Sequence, residues 1–235
     1  MLGTYETMIE TIINIPFELD LEGLLKEAHV ESGTDDAAGF EELLNRAREV
    51  AKPKALYKEC FIQLKGEETI TIDNITFATR ALRMNLDQVE RVFPYVATCG
   101  KEVDEINIPE SDFLSRYWLD IIKAALLRVS CCHLESLLVQ KYKLGKTSVM
   151  SPGSGDVNVW PIKQQKELFS LFGDVEDLIG VRLTESFLML PNKSVSGVRF
   201  PTEIDFQSCQ LCHRENCFSR KAPFNEELWE SVRHD

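Results

Sequence analysis

The feature that most constrains the fold is a long helical pattern over residues 113–142. Pro109-Glu110-Ser111-Asp112 opens it with acidic residues at the positive end of the helix, and lysines follow its other end. Apolar and small residues recur within it at intervals of three and four, so one broad face is expected to be buried. The pattern predicts a single long amphipathic helix that ends before Gly145.

Before this helix the sequence changes from helical to strand-like patterns. Apolar residues at helical spacing predict helices over residues 5–14, 21–28 and 37–51. Segments rich in Ile, Thr and aromatic residues predict strands over residues 55–64, 69–72 and 75–79, with a turn at Asp73-Asn74. A short helix over residues 86–92 and a buried strand over residues 92–97 complete this part.

After the long helix comes a glycine-rich turn, Ser151-Pro152-Gly153-Ser154-Gly155-Asp156, and then a helix that begins at Pro161. Leu183–Leu190 and Val195–Phe200 are predicted to form a β-hairpin. Strands and helices follow each other in no repeating β-α-β order, which predicts an α+β fold.

Charge and composition exclude several classes of function. The chain has 38 acidic and 26 basic residues, a net charge of −12, which disfavours a nucleic-acid partner. It has no apolar run long enough to cross a membrane and no signal-like N-terminus, so we expect a cytoplasmic protein without a membrane partner. No hydrolase triad order, P-loop, dinucleotide fingerprint or H-E-x-x-H motif occurs.

The block from Ile179 to Gly197 carries the most specific pattern. It reads Ile-Gly-Val-Arg-Leu-Thr-Glu-Ser-Phe-Leu-Met-Leu-Pro-Asn-Lys-Ser-Val-Ser-Gly. This block resembles the reactivation (S-adenosylmethionine-binding) domain of cobalamin-dependent methionine synthase. The resemblance implies a single C-shaped α+β domain, an antiparallel sheet with flanking helices. Its parts would be a mixed helix and strand region (1–105), an activation-domain-like core (106–203) and a cysteine-rich tail (204–235).

The resemblance also implies a cofactor-binding loop. In the family, a loop with the pattern Arg-x-x-x-Gly-Tyr lines the cleft where S-adenosylmethionine lies against the corrin. Here the Pro-Gly of that loop corresponds to Pro152 and Gly153, the tyrosine falls on Ser154, and the arginine falls on Val149. Pro152, Gly153, Ser154 and Gly155 are therefore predicted to supply the backbone of the cleft.

Four further residues are predicted to line this cleft. If the hairpin forms, Glu185 and Ser186 lie on opposite sides of a strand, and one of them faces the cleft. A solvent-exposed polar strand face is the alternative. An aromatic pair of the family falls on Arg199 and Phe200. Phe200 would supply an apolar wall, and Arg199 a relocated cation.

The tail contains Cys209, Cys212 and Cys217, three of seven cysteines within nine residues. This spacing predicts a shared metal ion or cluster, and the alternative is a chance grouping of thiols. A [4Fe-4S] cluster would require a fourth thiolate, from Cys99 or from the Cys131-Cys132 pair, whereas zinc could take His213.

The first functional hypothesis is a corrinoid-protein reactivation factor. As the resemblance implies, it would bind the corrin of a corrinoid protein or cobalamin-dependent methyltransferase and assist reduction of cob(II)alamin to cob(I)alamin. S-adenosylmethionine would be the methyl donor, and the metal in the tail or an electron-donor protein would supply the electron. The alternatives are a non-catalytic corrinoid-protein-binding module with structural zinc and, less favoured by Val149, a free methyltransferase.

Overall fold

Strand β6 (Arg91–Thr98) is the centre of the main sheet in this computed structural model, which describes residues 8–156, 159–204, 206–217 and 220–232. It pairs antiparallel with a different strand on each side. Seven of its eight residues are buried, as expected for a central strand. In spatial order the strands are β1 (Ile9–Ile12), β2 (Lys54–Lys58), β6, β10 (Ser194–Pro201) and β7 (Thr147–Met150).

A second group of strands continues from the start of β6, where β3 (Cys60–Lys65) pairs with it. β4 (Thr69–Ile72) and β5 (Ile75–Ala78) then form a hairpin. Its turn residues Asp73 and Asn74 have φ of 49° and 65°, as two-residue hairpin turns require. β4, β5 and their turn confirm the sequence prediction, whereas the segment over residues 55–64, predicted as one strand, is divided at Glu59 into β2 and β3.

Helices cover both faces of the main sheet. They are α1 (Leu21–Glu27), α2 (Asp35–Val50), α3 (Arg80–Asn85), α4 (Phe113–Tyr142), α5 (Gln165–Ser170), α6 (Val175–Ile179) and α7 (Glu226–Val232). The C-terminal half of α4 packs on one sheet face, and its N-terminal half packs with α1 and α2. The other helices cover the opposite face. The α+β fold with an antiparallel sheet and flanking helices is confirmed.

Helix α4 has the limits that the sequence predicts. The Asp112 side chain caps its first turn by accepting a hydrogen bond from the Ser115 N–H at 3.0 Å. The residue that ends it is Lys143, in the left-handed conformation with φ of 52°, rather than Gly145. No helix among the described residues is long and apolar enough to span a membrane.

Two local predictions were wrong. The segment over residues 5–14 was predicted to be helical, but its described part contains strand β1, which pairs with β2. Residues 8–14 contain four β-branched side chains, which suit either structure, and pairing at the sheet edge decides. The helix predicted over residues 86–92 instead occupies Arg80–Asn85, because the Thr79 hydroxyl caps it by accepting from the Leu82 N–H.

The predicted hairpin of Leu183–Leu190 with Val195–Phe200 was also wrong. β8 (Arg182–Leu183) pairs with β9 (Met189–Leu190) in a separate two-stranded ribbon, while β10 enters the main sheet between β6 and β7. β10 is buried along most of its length. β10 therefore pairs with strands of the main sheet and not with the neighbouring segment Leu183–Leu190.

Candidate functional site

The glycine-rich loop directly follows β7. The Gly153 N–H donates to the Trp160 carbonyl at 2.7 Å, and the Ser154 N–H donates to the Ser151 carbonyl at 3.1 Å. Gly153 has φ of 76°, a conformation that L side chains rarely adopt. Pro152 is buried, whereas Gly153 is exposed. The loop is thus a fixed turn that presents bare backbone to solvent.

Gly155 brings this loop against the tail. Its φ is 87°, and a Cβ placed there would lie 3.2 Å from the Ser208 carbonyl oxygen and 3.7 Å from that of Leu211. The Ser148 hydroxyl in β7 also donates to the Phe206 carbonyl at 3.1 Å. The tail therefore packs on the predicted cofactor loop, which the sequence had not indicated.

Gly197 in β10 allows β7 and the loop to approach Tyr95 on β6. A Cβ at Gly197 would lie 2.6 Å from both the Met150 carbonyl oxygen and the Ser151 Oγ. The Tyr95 phenol is hydrogen-bonded to the Ser151 side chain, and burial raises the pKa of Tyr95 well above its usual value. The phenol is therefore a neutral hydrogen-bonding group beside the loop.

Arg199 lies directly opposite Val149 in the β10–β7 pair. Residues paired in this way project from the same face of a sheet. The side chain of Arg199 therefore begins beside Val149, the position that corresponds to the family's arginine. Its Nη1 donates to Glu135 Oε1 at 2.8 Å and to Thr147 Oγ1 at 2.7 Å. Arg199 is only 9% exposed, and its Nε is buried without a hydrogen-bond partner.

Glu135 and Cys131 on α4 belong to this site, although the sequence analysis did not assign Glu135. They are four residues apart and so lie on one helix face. Burial raises the pKa of the Cys131 thiol to about 11, and the Arg199 and Lys221 charges oppose only part of this rise. The i, i+4 spacing of Cys131 and Glu135 indicates in the sequence that they share a helix face. Only the structure shows that this face contacts Arg199.

Phe200 is fully buried in the core between the main sheet and α5 and α6. It alternates with Arg199 along β10 and therefore points to the opposite face. Of the loop, Ser151 reaches the Arg199 side of the sheet through Tyr95, whereas Gly153 bonds to Trp160 and Gly155 contacts Leu211, which belong to the same core cluster as Phe200. A role for Phe200 as an apolar wall of the cleft stays a prediction.

Glu185 and Ser186 do not lie on a strand, so the predicted alternation was wrong. They are exposed residues in the turn between β8 and β9. The Thr184 N–H donates to the Leu188 carbonyl at 2.8 Å, and the Thr184 and Ser186 hydroxyls lie 3.0 Å apart. The turn is followed in the chain by β9 and β10. The glycine loop, by contrast, contacts β10 in space, where Ser151 lies beside Gly197.

The cysteine tail is organised by Arg220. Its guanidinium donates to the carbonyls of Cys209 and Cys212 at 3.2 Å each, and also to those of Arg214 and Ala222. The Lys221 N–H lies 3.4 Å from Cys209 Sγ. Within the described residues, no three His, Cys, Asp or Glu side chains are arranged to hold a metal ion. The Arg220 guanidinium therefore holds the backbone of the tail together through these hydrogen bonds.

The structure does not bring Cys99 to the tail. It is fully buried with α2 and α4, just beyond the end of β6, whereas the tail leaves β10 beside the start of β6. His213 packs on the rings of Phe224 and Trp229, at centroid distances of 4.4 and 4.5 Å. The metal site at Cys209, Cys212, Cys217 and Cys99 remains a prediction that these positions do not support.

Comparison with known proteins agrees with this fold. Residues 133–217 match the family described as vitamin B12 dependent methionine synthase, activation domain. The chain is similar to a crystal structure of the MetH reactivation domain bound to AdoHcy, with a TM-score of 0.58 and 13% sequence identity. The alignment covers 87% of this chain and 82% of that one. No curated protein sequence matches the chain. The predicted resemblance to the activation domain is confirmed.

Proposed function

We propose that this chain, which has the fold of the methionine synthase reactivation domain, is a reactivation factor for a corrinoid protein. The observation that carries the proposal is the combination of the family match over residues 133–217 with the glycine loop inside that segment. The match begins on α4, crosses the loop and β10, and ends at Cys217. It therefore includes Gly153, Arg199 and Glu135.

The corrin would belong to the partner and act as the substrate of this chain. The exposed backbone at Gly153 suits a flat macrocycle, because this residue has no side chain of its own to hold the macrocycle away from the chain. A surface that binds only the base-off form of cob(II)alamin shifts that equilibrium by its differential affinity, about 1.4 kcal/mol for each factor of ten. Base-off cob(II)alamin is more easily reduced, so this preference assists formation of cob(I)alamin.

We further propose that an S-adenosyl ligand binds beside the glycine loop. The neighbouring structure is described as bound to AdoHcy, S-adenosylhomocysteine. In this chain, Tyr95 and Ser151 supply neutral hydrogen-bonding groups, and Arg199 supplies a cation that is paired with Glu135. S-adenosylmethionine bound there would transfer its methyl group to cob(I)alamin and leave S-adenosylhomocysteine. The cob(II)alamin form would thereby be removed from the equilibrium.

The electron for the reduction is assigned to a separate donor protein. The thiols of the tail do not form a metal-binding group in the described residues. Arg220 already occupies the carbonyl groups that shape their loop. In this proposal the electron therefore does not pass through the tail.

The test is a spectral titration. A methionine synthase cobalamin-binding fragment loaded with cob(II)alamin would be mixed anaerobically with the chain, and the visible spectrum would report the base-on to base-off change. We expect a saturable shift to base-off. Replacing Gly153 with Trp should abolish it, whereas Gly145→Ala, at a site with nothing within 4 Å, should not. An unchanged shift with Gly153→Trp would refute the loop as the docking site.

A non-catalytic corrinoid-binding module is the second candidate. It is favoured by the ion pair between Arg199 and Glu135, which already uses one amino group of the guanidinium. A chain of this kind would shift the spectrum to base-off, but S-adenosylmethionine would not change the outcome. The titration repeated with S-adenosylmethionine and a reductant separates the two functions, because only the reactivation factor would yield methylcobalamin.

A further inference from the structure

We propose that Cys209 and Cys212 form a redox-active dithiol site, in which the two thiols convert reversibly to a disulfide by exchange with a small disulfide compound. The site lies in the cysteine tail. It goes beyond the proposed function and does not depend on it, because the exchange needs neither a corrin nor an S-adenosyl ligand.

The first observation is the local structure of the two cysteines. Residues Ser208–Leu211 form a single 3-10 turn, and the Cys212 N–H donates to the Cys209 carbonyl at 3.2 Å. In such a turn, residues i and i+3 lie on the same side, and a rise of about 2 Å per residue separates them by about 6 Å. Disulfides join residues whose Cα atoms are about 4.4–6.8 Å apart. The backbone therefore already has the spacing that a Cys209–Cys212 disulfide requires.

The second observation is that Arg220 holds this turn. Its guanidinium donates to the carbonyls of Cys209 and Cys212 at 3.2 Å each. One planar group with donors in a rigid fork thus contacts the backbone of both cysteines. Their separation is maintained by these contacts and not by a bond between the two sulfur atoms. The reduced and oxidised forms can therefore share one backbone conformation, which favours a reversible exchange.

The third observation is the environment of the sulfur atoms. Cys209 and Cys212 are both half-buried, so a small solute can reach them. The Lys221 N–H lies 3.4 Å from Cys209 Sγ, and it can donate to this sulfur when the sulfur carries the charge of an attacking thiolate. Cys60 and Cys99, by contrast, are buried, and burial raises the pKa of both thiols to about 12. The accessible pair is therefore the one in the tail.

The arrangement suits a disulfide better than a metal ion. Structural zinc takes four ligands, whereas no three His, Cys, Asp or Glu side chains in the described part of the chain are arranged to hold a metal. Cys217, the third thiol of the tail, lies five residues after Cys212 and outside the 3-10 turn. Two cysteines separated by two residues match the spacing of thiol oxidoreductase motifs.

The exchange has two steps. In the first, the Cys209 thiol loses its proton to water, and the thiolate attacks one sulfur of the small disulfide. A mixed disulfide forms, and one small thiolate leaves and takes up a proton. In the second, the Cys212 thiolate attacks the Cys209 sulfur, and the second small thiolate leaves. The cysteine pair is oxidised by two electrons, and the small disulfide is reduced to two thiols.

The disulfide would lie beside the glycine loop. A Cβ at Gly155 would be 3.2 Å from the Ser208 carbonyl oxygen and 3.7 Å from that of Leu211. The loop therefore packs on both ends of the 3-10 turn. Oxidation would cross-link the segment on which this loop rests.

The experiment is peptide mapping of the full chain after equilibration with mixtures of reduced and oxidised glutathione, with alkylation of the free thiols before digestion. Trypsin cleaves after Lys and Arg, so one peptide, residues 200–214, carries both Cys209 and Cys212, and another, residues 215–220, carries Cys217. The proposed disulfide therefore lies within one peptide, which escapes alkylation and has the mass of the dithiol less two hydrogen atoms. We expect this species in oxidising mixtures and its full loss in excess reduced glutathione.

Three variants test the roles of the residues. Cys212→Ser should stop the exchange after its first step, so that Cys209 accumulates with one added glutathionyl group. Cys217→Ser is the matched control, because it also removes a half-buried thiol of the tail, and it should form the disulfide at the same glutathione ratio as the wild type. Arg220→Ala should shift the midpoint to a more oxidising mixture, because the turn is no longer held.

Several results would overturn the proposal. They are a disulfide that joins residues 200–214 to residues 215–220, a pair that stays reduced in oxidised glutathione alone, and an Arg220→Ala midpoint equal to that of the wild type. The base-off titration of the proposed function uses the fully reduced chain. Its failure would therefore reject corrin docking without affecting this site, and failure of the disulfide would leave corrin docking in place.

Discussion

Gly197→Ala should separate β7 from β10 at the candidate site. The added methyl group would lie 2.6 Å from the Met150 carbonyl oxygen, about 0.8 Å below the 3.4 Å at which ordinary van der Waals contact begins. The contact is with backbone, so β7 itself must shift. Overpacking of this kind costs about 1–3 kcal/mol, which lowers the melting temperature of a chain of this size by about 2–12 °C.

The same shift should reach the function. β7 carries Val149 opposite Arg199, and Ser151 follows it, so displacement of the strand disturbs the whole face. Thermal unfolding and the base-off titration of Gly197→Ala would be compared with those of Gly145→Ala, where a Cβ meets nothing within 4 Å. Both readouts should fall only in Gly197→Ala. Equal melting temperatures and equal titrations for the two variants would refute the reasoning.

Three further predictions concern the cysteines. Cys132 is exposed, whereas burial raises the pKa of Cys131 to about 11, so at pH 8 a thiol reagent should modify Cys132 much faster; equal rates by mass spectrometry would contradict this. Burial also raises the pKa of Cys99 to about 12. The neutral buried thiol contributes fully to the free energy of unfolding below the ordinary pKa of 9.0, and this contribution decreases as the pH rises toward 12. Between pH 8 and 10.5, the free energy of unfolding measured in urea should therefore decrease less for Cys99→Ala than for the wild type. Equal decreases in the two proteins would exclude Cys99 as the origin. Because no three possible metal ligands converge among the described residues, the purified chain should contain no stoichiometric iron or zinc, and a metal content that Cys212→Ser abolishes would show that the thiols do converge.

Local sequence signals predicted much of the fold. The capping residue Asp112 and the intervals within α4 define a helix without reference to the rest of the chain. The Asp73-Asn74 turn likewise fixes its hairpin through two residues that tolerate positive φ. In both cases the determining interactions lie within a few residues of each other, so a single segment contains them.

The candidate site could be predicted only in part. The glycine loop and Arg199 were found from the resemblance, but the position of Arg199 opposite Val149 depends on the register of β10 with β7 and β6. A shift of one residue would have placed Phe200 there instead. Glu135 and the tail contacts of Gly155 come from segments distant in the chain. No periodicity within one segment specifies such contacts.

The measurement that tests the central claim most directly uses methionine synthase that lacks its own activation domain and carries cob(II)alamin. A reductant and S-adenosylmethionine would be added anaerobically, with and without this chain, and methylcobalamin formation would be followed by its visible spectrum. The account predicts that methylcobalamin forms in proportion to the amount of chain added and that Gly153→Trp prevents it. The same rate of formation with and without the chain would contradict a role in reactivation.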